Sequence, residues 1–462
     1  MIYRLYGLMH KTAKSILKRN SDLKSTVKLV SFDQDKFSVS DKCNIEIEEG
    51  FFINEYEFEG EDISIDKQMV YPVENLVPSK FDMHYPNSFS AKKYKVSYAA
   101  NIAEAENLWP KFIQSAMIPI GYRNGGCYYG GYIHECQQWC LPSWIWTNAA
   151  IVRYYCLCGN IEEAKRLGDL IISQQQPCGG WIVRNDYSED GVMPELAPND
   201  SCYIALNCCL ALYSVTKEER YLNSAKRNAD WVLETARTDG MVYFGYNTKK
   251  KEWIKDRNIV DTGFTAGLFA KLVEITKEEK YKEFLGKFVK TYINIFYMPD
   301  KKCFATAIDG QDNQLGGAFG RGQGWALEGL IPAYRVLKDR EIKRVISETI
   351  ATLLECQMKN GGWSYNLLRP MMGIDCKGVP VIAKCMVEWY QEEKNEDLIV
   401  AAKKAMNWCA RHTVITGERA GGIFSYTTEG AIVHHMYTST ALVYSSAYAA
   451  EVKILLDRIA SL

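Results

Sequence analysis

No stretch of this 462-residue chain approaches the roughly 18 consecutive apolar residues that would cross a bilayer, so no membrane span is expected. Neither sign of charge is in excess: 55 Lys and Arg stand against 56 Asp and Glu, which argues against a nucleic-acid or anionic-membrane partner. The 15 cysteines lack any framework spacing. No CxxC pair is matched to a second one, and Cys156 and Cys158 sit too close together, so no metal site is expected. Cys208, Cys209 and Cys385 fall in apolar runs where a thiol behaves as a small hydrophobe. A disulfide-stapled secreted domain is thereby excluded, and a reduced, cytoplasmic protein is expected. Met1–Asn20 has no uninterrupted apolar core and carries Arg4, Lys11, Lys14, Lys18 and Arg19, unlike a secretion signal. With Leu5, Leu8 and Ile16 between the charges it fits a short amphipathic helix, docked on the main domain or, as the alternative, on a membrane surface.

What the chain does have is ordinary globular composition, 47% hydrophobic and 24% charged, and an internal repeat. Val215-Thr216-Lys217-Glu218-Glu219-Arg220-Tyr221 returns 60 residues later as Ile275-Thr276-Lys277-Glu278-Glu279-Lys280-Tyr281. Each copy follows an apolar helix (Ser201–Tyr213, Thr262–Val273) and precedes an amphipathic one (Leu222–Leu233, Lys282–Ile295), so the unit is a helical hairpin. Weaker copies are Pro142–Leu157 with Ile161–Ile172, Trp325–Leu337 with Glu341–Cys356, and Lys377–Tyr390 with Leu398–His412. Tyr437–Ile459 begins a sixth unit and runs into the C-terminus. First helices are apolar on most faces and second helices are densely charged, as inner and outer rings would be. An open stack would need polar caps, so a closed (α/α)6 toroid of six hairpins is expected. Residues 101–462 form this barrel. Residues 1–100 read as an N-terminal extension of mixed helix and β structure, with period-two alternation at Val27–Val30, Phe37–Val39 and Asn44–Glu48 and an aromatic-rich Phe51–Phe58.

In such a ring the residues that open the inner helices gather at one mouth. Read in order they are Ser143-Trp144-Ile145-Trp146, Asn199-Asp200-Ser201, Val260-Asp261-Thr262, Gly320-Arg321-Gly322-Gln323-Gly324-Trp325, Ile374-Asp375-Cys376 and His434-His435-Met436-Tyr437. An Asp before an apolar helix ordinarily caps it. Asp200 and Asp261, 61 residues apart at equivalent ring positions, are also what acid/base work on a sugar requires. Arg321 is either a cap for a neighbouring loop or a planar fork for a substrate carboxylate, with Gln323 beside it. The glycines at 320, 322 and 324 point to close backbone approach. Trp144, Trp181 and Trp325 are either core residues or platforms that stack on sugar faces.

At these residues the chain resembles the unsaturated glucuronyl and rhamnogalacturonyl hydrolases of glycoside hydrolase families 88 and 105, over roughly residues 100–462. Arg321-Gly322-Gln323-Gly324-Trp325 looks like the family's Arg-Gly-Gln/Asn-x-Trp motif. Asp261 and Asp200 fall where the family carries its catalytic Asp and a second essential Asp, and Asp375 looks like its later helix-opening Asp. Asn199 stands where a histidine often precedes the second Asp, and Phe319-Gly320 replaces a tryptophan. The resemblance implies a glycoside hydrolase acting on oligosaccharides that end in a 4,5-unsaturated uronic acid, with Asp261 and Asp200 catalytic. Arg321, Gln323, Trp325, Asp375, Trp144, Trp181 and His134 would contact substrate, with no metal or organic cofactor. Two other readings stay open: a sugar epimerase using a His or Tyr pair drawn from His134, His434 and Tyr437, and a non-catalytic glycan-binding toroid in which the acids only cap helices.

Overall fold

The computed structural model describes residues 28–32, 37–42, 97–120, 125–133, 138–140, 145–182, 195–248, 250–315, 317–368, 374, 376–417, 419–424 and 440–461. Ahead of the helical body, strands β1 (Lys28–Phe32) and β2 (Phe37–Lys42) pair antiparallel. They fall on the expected alternation at 28–30 and 37–39; the basic segment Met1–Asn20, the alternation expected at 44–48 and the aromatic-rich 51–58 lie outside the described residues.

The body is an (α/α)6 toroid, as the repeat requires. Its inner helices are α3 (Ile145–Cys158), a composite of α5 (Pro198–Ile204), a π-helical stretch (Ala205–Leu210) and α6 (Ala211–Thr216), then α8 (Phe264–Thr276), α10 (Gly320–Leu337), α12 (Gly378–Glu393) and α14 (Val443–Ala460). Each inner helix touches the next, and α14 returns to α3, so the ring is closed. The inner helices are buried on nearly every face. The outer helices α4 (Ile161–Ser173), α7 (Glu219–Thr235), α9 (Glu279–Phe296), α11 (Arg340–Cys356) and α13 (Glu396–Arg411) bury one stripe each, as in Tyr281, Phe284, Leu285, Phe288 and Tyr292 of α9.

The polar hairpin turn is built the same way four times. Lys217, Lys277, Lys338 and Lys394 each take left-handed backbone after an inner helix, and each donates its N–H to the carbonyl four residues back. A side chain there is strained, and three of the four lysines lay their ammonium over the tyrosine of the preceding turn.

The sixth hairpin departs from expectation. Its inner helix starts at Val443, and its outer partner comes from the other end of the chain: α1 (Ile102–Ala105) packs on α13, and α2 (Leu108–Ser115) packs on α14. The seam is shared with a four-stranded sheet ordered β8 (Ile423–Phe424), β9 (Thr440–Leu442), β3 (Gly131–Ile133), β4 (Gln138–Cys140), which joins early and late segments. No described helix is long and apolar enough to cross a membrane.

Candidate active site

The loops that enter the inner helices carry short strands, and one of these strands aims Asp261. β5 (Arg257–Ile259) pairs with β7 (Ala307–Asp309) and leads straight into a single 3-10 turn, Val260–Gly263. Three contacts fix the turn. Tyr292 of α9 donates to the Val260 carbonyl at 2.6 Å, and the Thr262 hydroxyl donates to Asn258 Oδ1 at 2.6 Å. Asn258 in turn donates to the Val242 carbonyl at 2.8 Å. Gly263 is small because α10 lies against it: a Cβ there would stand 3.2 Å from the Ala326 backbone, and one on Gly329 only 2.0 Å from the Gly263 carbonyl. Burial pushes the Tyr292 phenol well above its ordinary range, with the nearby Asp261 carboxylate adding to the effect, so Tyr292 stays a neutral donor.

Asp261 is buried, and Asn199 donates its side-chain amide to Asp261 Oδ1 at 2.8 Å. That bond ties the opening of the second inner helix to that of the third. Asp200 sits in the first turn of α5, half-buried, next to Asn199. Neither acid is the capping residue of its helix: Ala197 and Ile259 hold those positions. Asn199 was not legible as a site residue; its only signal was standing beside Asp200 in place of a histidine.

The fourth opening is pressed onto its neighbours by the glycines of the arginine motif. A Cβ on Gly322 would stand 2.5 Å from Val260, one on Gly320 2.4 Å from the Ser364 carbonyl, and one on Gly324 2.7 Å from Val381. Gly378, opening α12, lies against the Arg321 backbone. Arg321 is buried with its guanidinium over two rings, 4.3 Å from the centre of Phe319 and 5.1 Å from that of Trp325. Trp325 continues the aromatic wall through Phe264 and reaches Tyr444 with its indole N–H at 3.4 Å. Tyr444 meets Trp146 edge-on, and the buried Lys377 holds its ammonium 5.6 Å from the Trp146 ring. Contacts thus run from Asn199 to the turn of Asp261, across Val260 and Gly322 to the helix of Arg321 and Trp325, and on through Tyr444 to Trp146 and Lys377, joining all six inner-helix openings. Lys377 and Tyr444 are further residues of this mouth. Lys377 sits at the start of an inner helix, which was its available signal; Tyr444 had none beyond its place in an apolar run.

Two expected contacts turn out otherwise. Gln323 is fully buried and its amide is spent on backbone: Oε1 accepts from Phe304 N at 2.7 Å, and Nε2 donates to the Phe304 and Phe319 carbonyls at 2.9 and 3.0 Å. It clips strand β6 (Cys303–Phe304) to α10. Trp181 is likewise fully buried, with its indole N–H on the Ile171 carbonyl at 2.8 Å, and Trp363 repeats the arrangement with the Leu353 carbonyl at 2.7 Å. A ring without an exposed face offers no sugar platform; the Gly-Gly-Trp tryptophans lock each outer helix to the loop after it. Trp144, His134, Asp375, His434 and Tyr437 lie outside the described residues. Among the described residues no group of His, Cys, Asp and Glu is arranged to hold a metal ion.

The family model of Glycosyl Hydrolase Family 88 matches residues 136–387 of the chain. An unsaturated glucuronyl hydrolase from Bacillus sp. GL1, described as responsible for the degradation of glycosaminoglycan, superposes with a TM-score of 0.59 at 15% identity, over 78% of this chain and 95% of that one. An unsaturated glucuronyl hydrolase specific for heparin gives a TM-score of 0.61 at 13% identity, over 78% and 98%. A sugar epimerase from a ruminal bacterium gives 0.63 at 14% identity, over 77% and 98%. At these identities the structural likenesses speak for the fold. Comparison with curated proteins finds no match.

Proposed function

The chain belongs to Glycosyl Hydrolase Family 88 and is a glycoside hydrolase, and from that premise we propose that it removes a 4,5-unsaturated uronic acid from the non-reducing end of oligosaccharides. Asp261 carries the reading. It is buried, is not the cap of its helix, has one oxygen fixed by Asn199, and opens an inner helix whose neighbour presents Arg321. The Asp261 carboxyl protonates C4 of the vinyl ether. A water adds its oxygen to C5 and returns its proton to the carboxylate. The hemiketal at C5 opens to a ketone, and the anomeric carbon then releases the remaining sugar. Asp200, on the next opening, holds the water or a ring hydroxyl. Arg321 takes the uronate carboxylate, its plane set by Phe319 and Trp325, and Trp325 supplies an apolar face for the sugar. Asp375, Trp144 and His134 remain proposed contacts to substrate on the strength of the sequence resemblance.

The test follows the ultraviolet absorbance of the conjugated double bond on incubation with lyase-generated uronyl oligosaccharides. Absorbance should fall with the wild-type chain, and Asp261→Asn should slow it by at least about 100-fold. Full activity in Asp261→Asn sinks the assignment. Proton exchange at a sugar carbon in heavy water without bond cleavage would instead favour an epimerase, a reading that the likeness to the ruminal sugar epimerase keeps worth testing.

A further inference from the structure

Below the mouth the centre of the ring is crossed by a buried polar layer. The Tyr203 and Tyr448 hydroxyls meet at 2.8 Å, and Tyr448 contacts both oxygens of Glu328 at 3.0 and 3.1 Å. Lys384 pairs with Glu328 and with Glu388, each at 2.9 Å. Arg153 pairs with Glu451 at 2.6 Å and reaches Asn207 at 2.5 Å. Under this layer opens a cavity of about 190 Å³ whose wall includes Arg153, Asn207, Glu328, Lys384, Ser214 and Pro332. It lies toward the C-terminal ends of the inner helices. Arg335, which also lines it, is on the same helix as Arg321 and roughly 20 Å further along it. It therefore extends away from the mouth that holds Asp261, the two meeting at Phe264.

Two irregularities in otherwise regular inner helices fall on this one cavity. The π-helical stretch Ala205–Leu210 carries Leu206, Asn207 and Leu210, all three of which line it. Helical stretches of that kind are rare and cluster at functional sites. On the facing helix, Pro332 also lines the cavity, and with no N–H it cannot close a bond onto the Glu328 carbonyl. Packing alone requires neither distortion, since α8 and α12, at the same level of the ring, are uninterrupted helices.

The chemistry of the wall selects a ligand. Every cation lining it already has a carboxylate: Arg153 with Glu451, Lys384 with Glu328 and Glu388, Arg335 with Glu392, and Lys271 with Glu274. Burial alone would lower the Lys384 pKa, yet the two glutamates hold it above its ordinary range, so Lys384 stays charged. An anion would have to displace a buried carboxylate from one of these pairs, at the cost of leaving that carboxylate unpaired. A neutral polyol displaces nothing. It uses the remaining N–H groups and lone pairs of Arg153, Asn207 and Glu328, with Tyr203 and Phe264 as the apolar side of the wall. At about 30 Å³ of liquid volume per water, the cavity of about 190 Å³ corresponds to about six waters, room for one monosaccharide. We infer that this cavity is a second carbohydrate site, taking one neutral monosaccharide at the end of the ring opposite the acids.

Calorimetric titration with D-glucose, D-galactose and L-rhamnose, and separately with inorganic phosphate, tests it. One neutral sugar should bind saturably with a Kd near 1 mM, as small polar ligands do. Ala211→Trp, which fills the cavity from the π-helical side, should weaken binding by at least about tenfold, and Ser214→Tyr at the cavity rim should act likewise if the first variant fails to fold. Asp261→Asn should leave the titration unchanged, which separates this site from the mouth whatever the mouth does. Absence of saturable binding overturns the inference, as does sugar binding that both filled variants retain, or phosphate binding that they abolish.

Discussion

His412 shows how a single residue ties stability to pH. Its ring stacks on Trp408 with centroids 4.0 Å apart, and its Nδ1 lies 2.7 Å from the Trp408 carbonyl. Burial lowers its pKa from 6.5 to about 4, so the folded chain keeps it neutral while the unfolded chain binds a proton once the pH falls below about 6.5. The unfolded state thus binds more protons between pH 6.5 and 4, and stability falls as pH drops through that window. The contribution, up to about 3 kcal/mol above pH 6.5, should be gone near pH 4. Urea midpoints measured from pH 7.5 to 4 should decline for the wild type and decline less for His412→Gln. Gln323 and Trp181 carry the lesson of this scale in the opposite direction. Both sit in motifs that look like substrate contacts, yet their polar atoms close onto backbone. Residue type and spacing announce that a donor is needed; only the fold says which acceptor it meets. Gln323→Leu should accordingly strip three buried backbone bonds and cost about 2–3 kcal/mol. Its KM for substrate should stay within about twofold of wild type, whereas Arg321→Ala should raise KM at least about tenfold.

At the scale of elements, the Gly-Gly loops act as spacers between neighbouring hairpins. Gly361 has φ +99°, and a Cβ on it would stand 2.1 Å from the Lys404 carbonyl of the next outer helix. Gly179 meets Arg227 in the same manner. Gly159, in the first hairpin turn, has φ +82° with nothing within 4 Å of where a Cβ would go. The pair separates conformational strain from steric exclusion. Gly159→Ala should cost about 1 kcal/mol, the price of left-handed backbone alone, while Gly361→Ala should cost at least about 2 kcal/mol more because two backbones must part. Chemical denaturation of the two variants checks the order, and equal losses would sink it. The hairpins themselves were legible because a heptapeptide repeats at a turn whose backbone is demanding, and the glycines of the arginine motif were legible as close approaches. The π-helical stretch was not, since Ala205–Leu210 reads as ordinary apolar helix and the extra residue per turn is set by its neighbours.

The whole molecule turns on where the ring closes. Gly179, Gly240 and Gly361 each press on the next outer helix in chain order, and Gly421 presses on Leu108, in α2. The series therefore ends on α2, which supplies the sixth outer position. Sequence pattern alone missed this, because α2 belongs to no hairpin and its period of apolar residues has no partner nearby in the chain. Its Trp109, Phe112 and Ile113 are fully buried, and the Trp109 indole N–H bonds Thr413 at 2.8 Å across the seam. Phe112 packs against Trp139 and the Gly421-Gly422 loop, so Phe112→Ala should cost about 3–5 kcal/mol. The form of the loss matters more than its size. In an open stack of hairpins a weakened end frays on its own, and a separate early transition appears. In a closed ring each hairpin has two neighbours, and weakening the seam removes support from both α13 and α14. Phe112→Ala should therefore lower the midpoint of one shared unfolding transition, with tryptophan fluorescence and far-ultraviolet circular dichroism remaining coincident. A fluorescence change that precedes the loss of helix would mean that the seam opens alone and that the ring is held mainly by its five contiguous hairpins.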